Sequence, residues 1–151
     1  MYDNTITIFN YFESKGGAAW YPHIIPDVDL STDIGSILKK YGPGSTDRAE
    51  LHIAYAERSG QKVIVDSDGA ELPWMPPKEW SKQIESELLN SITFGPDDFF
   101  MEGVWEDGLI NEDDYPDGFY NFVNSQYDFV YKISSVGGPY TLIPHFEILG
   151  K

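Results

Sequence analysis

The stretch "SVGGPYTLIPHFEILGK", Ser135–Lys151, holds two apolar, β-branched and aromatic runs on either side of Gly137, Gly138 and Pro139. Runs of this kind separated by glycine and proline read as paired strands. The second run, "YTLIPHFEIL", must then find a docking place. Either it closes a barrel of its own chain, or a neighbouring subunit completes it by strand addition.

Working outward, "TITIFNYF" (Thr5–Phe12) alternates and is rich in β-branched and aromatic residues, which predicts a strand. "AAWYPHIIPDVDL" (Ala18–Leu30) is extended in pattern, but Pro22 and Pro26 each remove a ladder donor, so it reads as an edge strand or irregular crossing. "ELHIAYAE" sets Leu51, Ile53 and Tyr55 on one face, and "KVIVD" sets Val63 and Val65 on one face. Ser59, Gly60 and Gln61 turn between them. "SITFGPDDFFMEGVW" (Ser91–Trp105) reads as a strand pair or bulged strand, and "DFVYKISSV" as a further strand.

Two helices are expected. One starts at Pro76 and Pro77 and carries Trp80, Ile84 and Leu88 along a stripe. The other runs from about Tyr115 to Gln126, capped by Asp114, with Phe119, Phe122, Val123 and Gln126 at helical spacing. The expected fold is a single domain over residues 1–151, mainly β (α+β): a small antiparallel barrel or sandwich with two short helices and long loops. The strand–helix alternation of a doubly wound sheet is missing.

A chain of 151 residues with 41% apolar and 15% aromatic residues can bury one real core. Ten Lys and Arg against 25 Asp and Glu give a formal charge of −15, which excludes capture of bare nucleic acid through its phosphates. Cysteine is absent, which removes disulfides, thiolate zinc sites and cysteine nucleophiles. No long apolar run predicts a membrane span, and the opening "MYDNTITIFN" does not resemble a signal peptide. The acids are concentrated. From Gln83 to Tyr131 there is no Lys or Arg but twelve acids: Glu85, Glu87, Asp97, Asp98, Glu102, Glu106, Asp107, Glu112, Asp113, Asp114, Asp117 and Asp128. Such a stretch is a solvated face, a surface that repels DNA, or a surface that captures a basic partner.

Chemistry is harder to find. "DSDG" (Asp66, Asp68, Gly69) and "NEDD" resemble fragments of calcium loops without the twelve-residue pattern, so no metal site is expected. His23, His52 and His145 fall in three separate strand-like segments and read as packing or interface residues. No phosphate loop, nucleophile elbow or HExxH helix is present, and no catalytic residue or cofactor is expected. Paired carboxylates could serve a glycosidase, but any acidic sequence supplies such pairs. Trp74 among Pro73, Pro76 and Pro77 suggests an exposed cluster suited to an interface.

Together, "TITIFNYFESK", "PPKEW", "YDFVYKISSV" and "LIPHFEILGK" resemble a family of small minor capsid proteins encoded in the head–tail connector cluster of tailed phages and prophages of Gram-positive bacteria. The matching positions are Ile6–Asn10 with Tyr11, Trp20, Pro77–Trp80, Tyr127–Val136 and Pro144–Lys151. The chain departs from the family at "GPDDFFMEG" (Gly95–Gly103), at the apolar turn Gly137–Pro139, and in the acidic segment from Glu106 to Asp117.

The resemblance implies a structural, non-enzymatic protein of the virion neck, assembled in the host cytoplasm. Identical subunits would form a ring between portal or adaptor and tail terminator. That ring would seal the head and pass packaged DNA without specific binding and without a membrane. On that reading Glu106, Asp107, Glu112, Asp113, Asp114 and Asp117 face the channel or a partner, and Trp20, Tyr21, Trp74, His145, Phe146 and Ile148 join subunits. The charge also fits an alternative, an acidic DNA mimic that inhibits a host nuclease or defence protein.

Overall fold

A computed structural model of the chain describes residues 2–33 and 48–151. Six strands close an antiparallel barrel. In the order in which they neighbour one another they are β1 (Asn4–Ser14), β7 (Phe99–Glu102), β9 (Val130–Tyr140), β10 (His145–Gly150), β3 (Arg48–Ala54) and β2 (Gly17–Asp33), which returns to β1. A short β8 (Ile110–Asn111) adds to β2, and β4 (Ala56–Arg58), β5 (Gln61–Val65) and β6 (Glu71–Pro73) form a separate three-stranded sheet. Among the described residues there are three short helices, α1 (Pro77–Ser81), α2 (Glu85–Leu88) and α3 (Phe119–Gln126). Closure removes the free edges that an open sheet would expose.

The terminal strand closes its own barrel. On one side β10 pairs with β9 and on the other with β3, from His145 opposite Ala54 to Gly150 opposite Ala49. Lys151 and Lys132 then exchange both backbone hydrogen bonds, at 2.9 and 3.0 Å. With both edges filled, β10 has no edge left for strand addition from a neighbour.

β2 is an edge only along the proline-containing segment between its two ends. It pairs along nearly all of β1 and then, from Asp29 to Asp33, with β3. The prolines are tolerated because of where they fall. Between Trp20, the last residue facing β8, and Asp29, the first facing β3, one side of β2 has no ladder partner. Pro26 also sits in the register shift between Val28 and Ile25, beside Asp27 with φ of 57°. A bulge is where a strand can dispense with a donor.

β1 is buried on both faces from Ile6 to Asn10. Ile6 and Ile8 join Ile25, Leu51, Ile53, Phe100, Phe146 and Ile148 in one core. Phe9 points the other way, into a second core with Trp20, Phe99, Trp105, Phe119 and Val123. The α3 helix therefore covers the barrel wall at β1 and β7.

Four local expectations are corrected. The stripe Trp80–Ile84–Leu88 is two helical turns, not one helix: Ile84 is extended (ψ 148°) and 69% exposed, whereas Trp80 and Leu88 are buried. The last helix begins at Phe119 behind Gly118, and Asp114 lies in a preceding 3-10 turn instead of capping it. In β5 the buried neighbours are Val63 and Ile64, while Val65 is exposed, because the small sheet is covered on both sides only at its centre. The turn between β4 and β5 has Ser59 and Gly60 at φ of 52° and 80°, the left-handed pair of a two-residue hairpin. Within Ser91–Trp105 only Phe99–Glu102 is a strand.

Candidate functional site

The expected contact residues are mostly core. Trp20 packs at an angle against Tyr11 and Phe99 with ring centroids 4.8 and 5.0 Å away, and its Nε1–H donates to Glu112 at 2.8 Å. Tyr21 lies against Trp80, and Phe146 packs among Tyr55, Trp74 and Phe94. Ile148 is fully buried and Trp74 half-buried. Trp20, Tyr21, Phe146 and Ile148 thus leave no side chain at the surface for another molecule. A strand with alternating apolar residues shows that one face is buried but not by what, and here the burial is internal.

The acidic segment divides. Glu106, Asp107, Asp113, Asp114 and Asp117 are exposed, but Glu112 is half-buried and structural. Its Oε1 accepts from Trp20 Nε1 and from the Phe119 backbone N–H at 3.0 Å, tying β2 to the start of α3. Asp66 is similarly used, accepting from the N–H groups of Asp68 and Ala70 at 2.9 Å each, which makes "DSDG" a tight turn.

The surface that sequence reading missed is the tip of the β9–β10 hairpin. Its four-residue turn, 141–144, carries Leu142 and Ile143 at 97% and 70% exposure. Tyr140, Val136 and Leu149 are exposed on the same hairpin. A signal was available, since turns are ordinarily built of Gly, Asn, Asp and Ser, and this one reads Thr-Leu-Ile-Pro. Elsewhere, a groove of about 560 Å³ runs between β2, the 66–70 turn and the segment after β7. Leu89, Val104 and Leu109 line it and are exposed, and the buried His23 lines it too.

Two of the three histidines come together. His52 on β3 and His145 on β10 lie on the outward face of the barrel, and Glu147 stands directly opposite His52 in the ladder. The imidazole rings stack with centroids 5.5 Å apart. Glu147 reaches both, with Oε1 3.5 Å from His52 Nε2 and Oε2 3.9 Å from His145 Nε2. Glu50 adds a carboxylate 3.7 Å from His52 Nε2. Diagonal neighbours on one sheet face meet in this way even when the sequence holds them ninety-odd residues apart. His23 stays apart and buried, and burial lowers its imidazole to about 3.

Comparison with known proteins adds a family. The description "Family of unknown function (DUF6751)" matches residues 1–151, the whole chain. The chain belongs to DUF6751. No curated protein and no solved structure matches it. For this DUF6751 member the side chains themselves must therefore carry any functional reading.

Proposed function

We propose that this chain is an architectural subunit of a tailed-phage neck, one copy in a ring that closes the head and lines a passage for DNA. The observation that carries the reading is the apolar knob at the hairpin tip, where Leu142 and Ile143 project outside a barrel that already buries its own core. Exposed apolar groups so grouped favour covering by another surface. The partner is a second copy of the chain, because the same chain also offers the groove of Leu89, Val104 and Leu109 elsewhere on its surface. A knob and a groove at different places make a heterologous contact, and such contacts close into rings when the rotation permits. Joining by side chains suits a barrel whose β10 has both edges paired. The charge of −15 suits a conduit, since carboxylates repel phosphates. This role is structural and needs no catalytic group.

Quantitative mass spectrometry of purified particles tests the reading. Incorporation at a fixed copy number typical of a ring is expected, and loss of incorporation in a doubly substituted Leu142→Ser, Ile143→Ser chain that still folds. Particles without this protein would end the proposal.

A further inference from the structure

The geometry points to a divalent transition-metal site of the zinc class on the outer barrel wall, held by His52, His145 and Glu147. The ligand atoms of the three lie within 4.8 Å of one another. A tetrahedral zinc ion with ligands at about 2.0–2.2 Å sets its ligand atoms roughly 3.3 Å apart, so side-chain rotations of about 1 Å bring them to bonding distance. Two imidazole nitrogens and one carboxylate oxygen are the donor types that borderline cations take, and three protein ligands leave a fourth position for water.

Two further observations favour a cation. The first is the orientation of His145. Its Nδ1 contacts the Ile143 carbonyl, and a carbonyl accepts only from N–H. With Nδ1–H donating to that carbonyl, Nε2 is the nitrogen on the Glu147 side and the one placed to ligate a cation. Ligating histidines are commonly held in this way through their second nitrogen. The second is that the three groups gather at ion-pair distances, 3.5 and 3.9 Å, that are long for hydrogen bonds. Glu147 and Glu50 both crowd the imidazoles. Asp29 stands opposite His52 in the β2–β3 ladder, which adds another acid to this face. A cation resolves this arrangement. It would also tie the root of the projecting hairpin to β3.

Isothermal titration of the chelator-treated full chain with zinc chloride at pH 7.5 in 0.15 M salt tests the site. One equivalent is expected to bind with micromolar affinity, with shifts of the His52 and His145 imidazole resonances in nitrogen-correlated NMR. His52→Ala and His145→Ala should each weaken binding at least tenfold, with His52→Gln and His145→Gln as variants that retain bulk. Absence of saturable binding up to millimolar zinc overturns the site. So does binding that these variants leave unchanged, which would mark adsorption to the acidic surface. The site does not depend on the neck reading: zinc binding by a protein absent from particles would sink that reading and leave this one standing.

Discussion

Asn10 donates through Nδ2 to Asp98 at 3.0 Å, and both side chains are buried. Asp98 also accepts from the backbone N–H groups of Tyr11 and Gly95, each at 2.8 Å. Asn10 in turn donates to the Thr93 carbonyl at 2.7 Å. The carboxylate thus fastens the loop before β7 to the middle of β1. Sequence reading placed Asp98 in a stretch of surface acids, yet its side chain is a buried joint.

Burial pushes the Asp98 carboxyl up from 3.8 to about 7, against the pull of its three donors. The folded chain therefore holds a proton there that the unfolded chain releases. The resulting stability is full below about pH 4 and is lost as pH rises through 7. Three units correspond to about 4 kcal/mol at most. Urea unfolding of wild type minus Asp98→Asn should show that difference declining between pH 4 and 8. A carboxyl carbon titrating near 4 by NMR would refute the assignment.

His23 acts in the opposite direction. Its imidazole is lowered from 6.5 to about 3 by burial, and Nε2 has no hydrogen-bond partner among the described residues. The unfolded chain takes up the proton first, so this stability is present above pH 6.5 and is lost as pH falls toward 3. Between pH 4 and 6.5 the two groups oppose each other. Replacing His23 by Gln should leave the Asp98 slope exposed, and replacing Asp98 by Asn should expose that of His23. Parallel pH curves for the two variants would contradict both assignments.

Glu112 is the hinge between Trp20 and α3, since one oxygen accepts from both Trp20 Nε1 and Phe119 N–H. Glu112→Ala leaves two inward-facing donors without an acceptor, a loss of about 2–6 kcal/mol at roughly 1–3 kcal/mol per orphaned group. The exposed neighbour Asp114→Ala should change stability by about 0.5 kcal/mol or less. Equal effects in chemical denaturation, read by tryptophan fluorescence, would show that Glu112 is only one more surface charge.

The contrast between Glu112 and Asp114 shows what the sequence could reveal. Periodicity predicted most of the barrel strands, because Leu51–Ile53–Tyr55 and Phe146–Ile148 need one buried face wherever that face lies. In β2 it read the unpaired, irregular stretch around Pro22 and Pro26, because prolines are costly only where a ladder partner waits. It did not read the later pairing with β3, since a partner across the barrel is invisible locally. The same limit hid the site. His52 and His145 meet only through the β3–β10 register. Although Leu142 and Ile143 were legible as an apolar pair, only the β9–β10 pairing puts them in an exposed turn. Acid counting could not separate Asp98 and Glu112 from their exposed neighbours, since burial follows from packing and not from residue type.

Gly150 lies next to the end of the chain, where a substitution is ordinarily harmless. Here it is buried between β9 and β3, and a Cβ on it would sit 2.8 Å from Tyr131 Cβ and 3.0 Å from the Phe100 ring. Tyr131 Cβ is fixed by its own strand and cannot swing aside as a long side chain would. Gly150→Ala should therefore cost about 1–3 kcal/mol through overpacking, and Gly150→Val more. Leu149→Ala, one residue earlier but 44% exposed, should cost far less. Urea midpoints of the three variants decide the matter: if Gly150→Ala unfolds with wild type, the last strand is not wedged into the barrel and the closure described above is wrong.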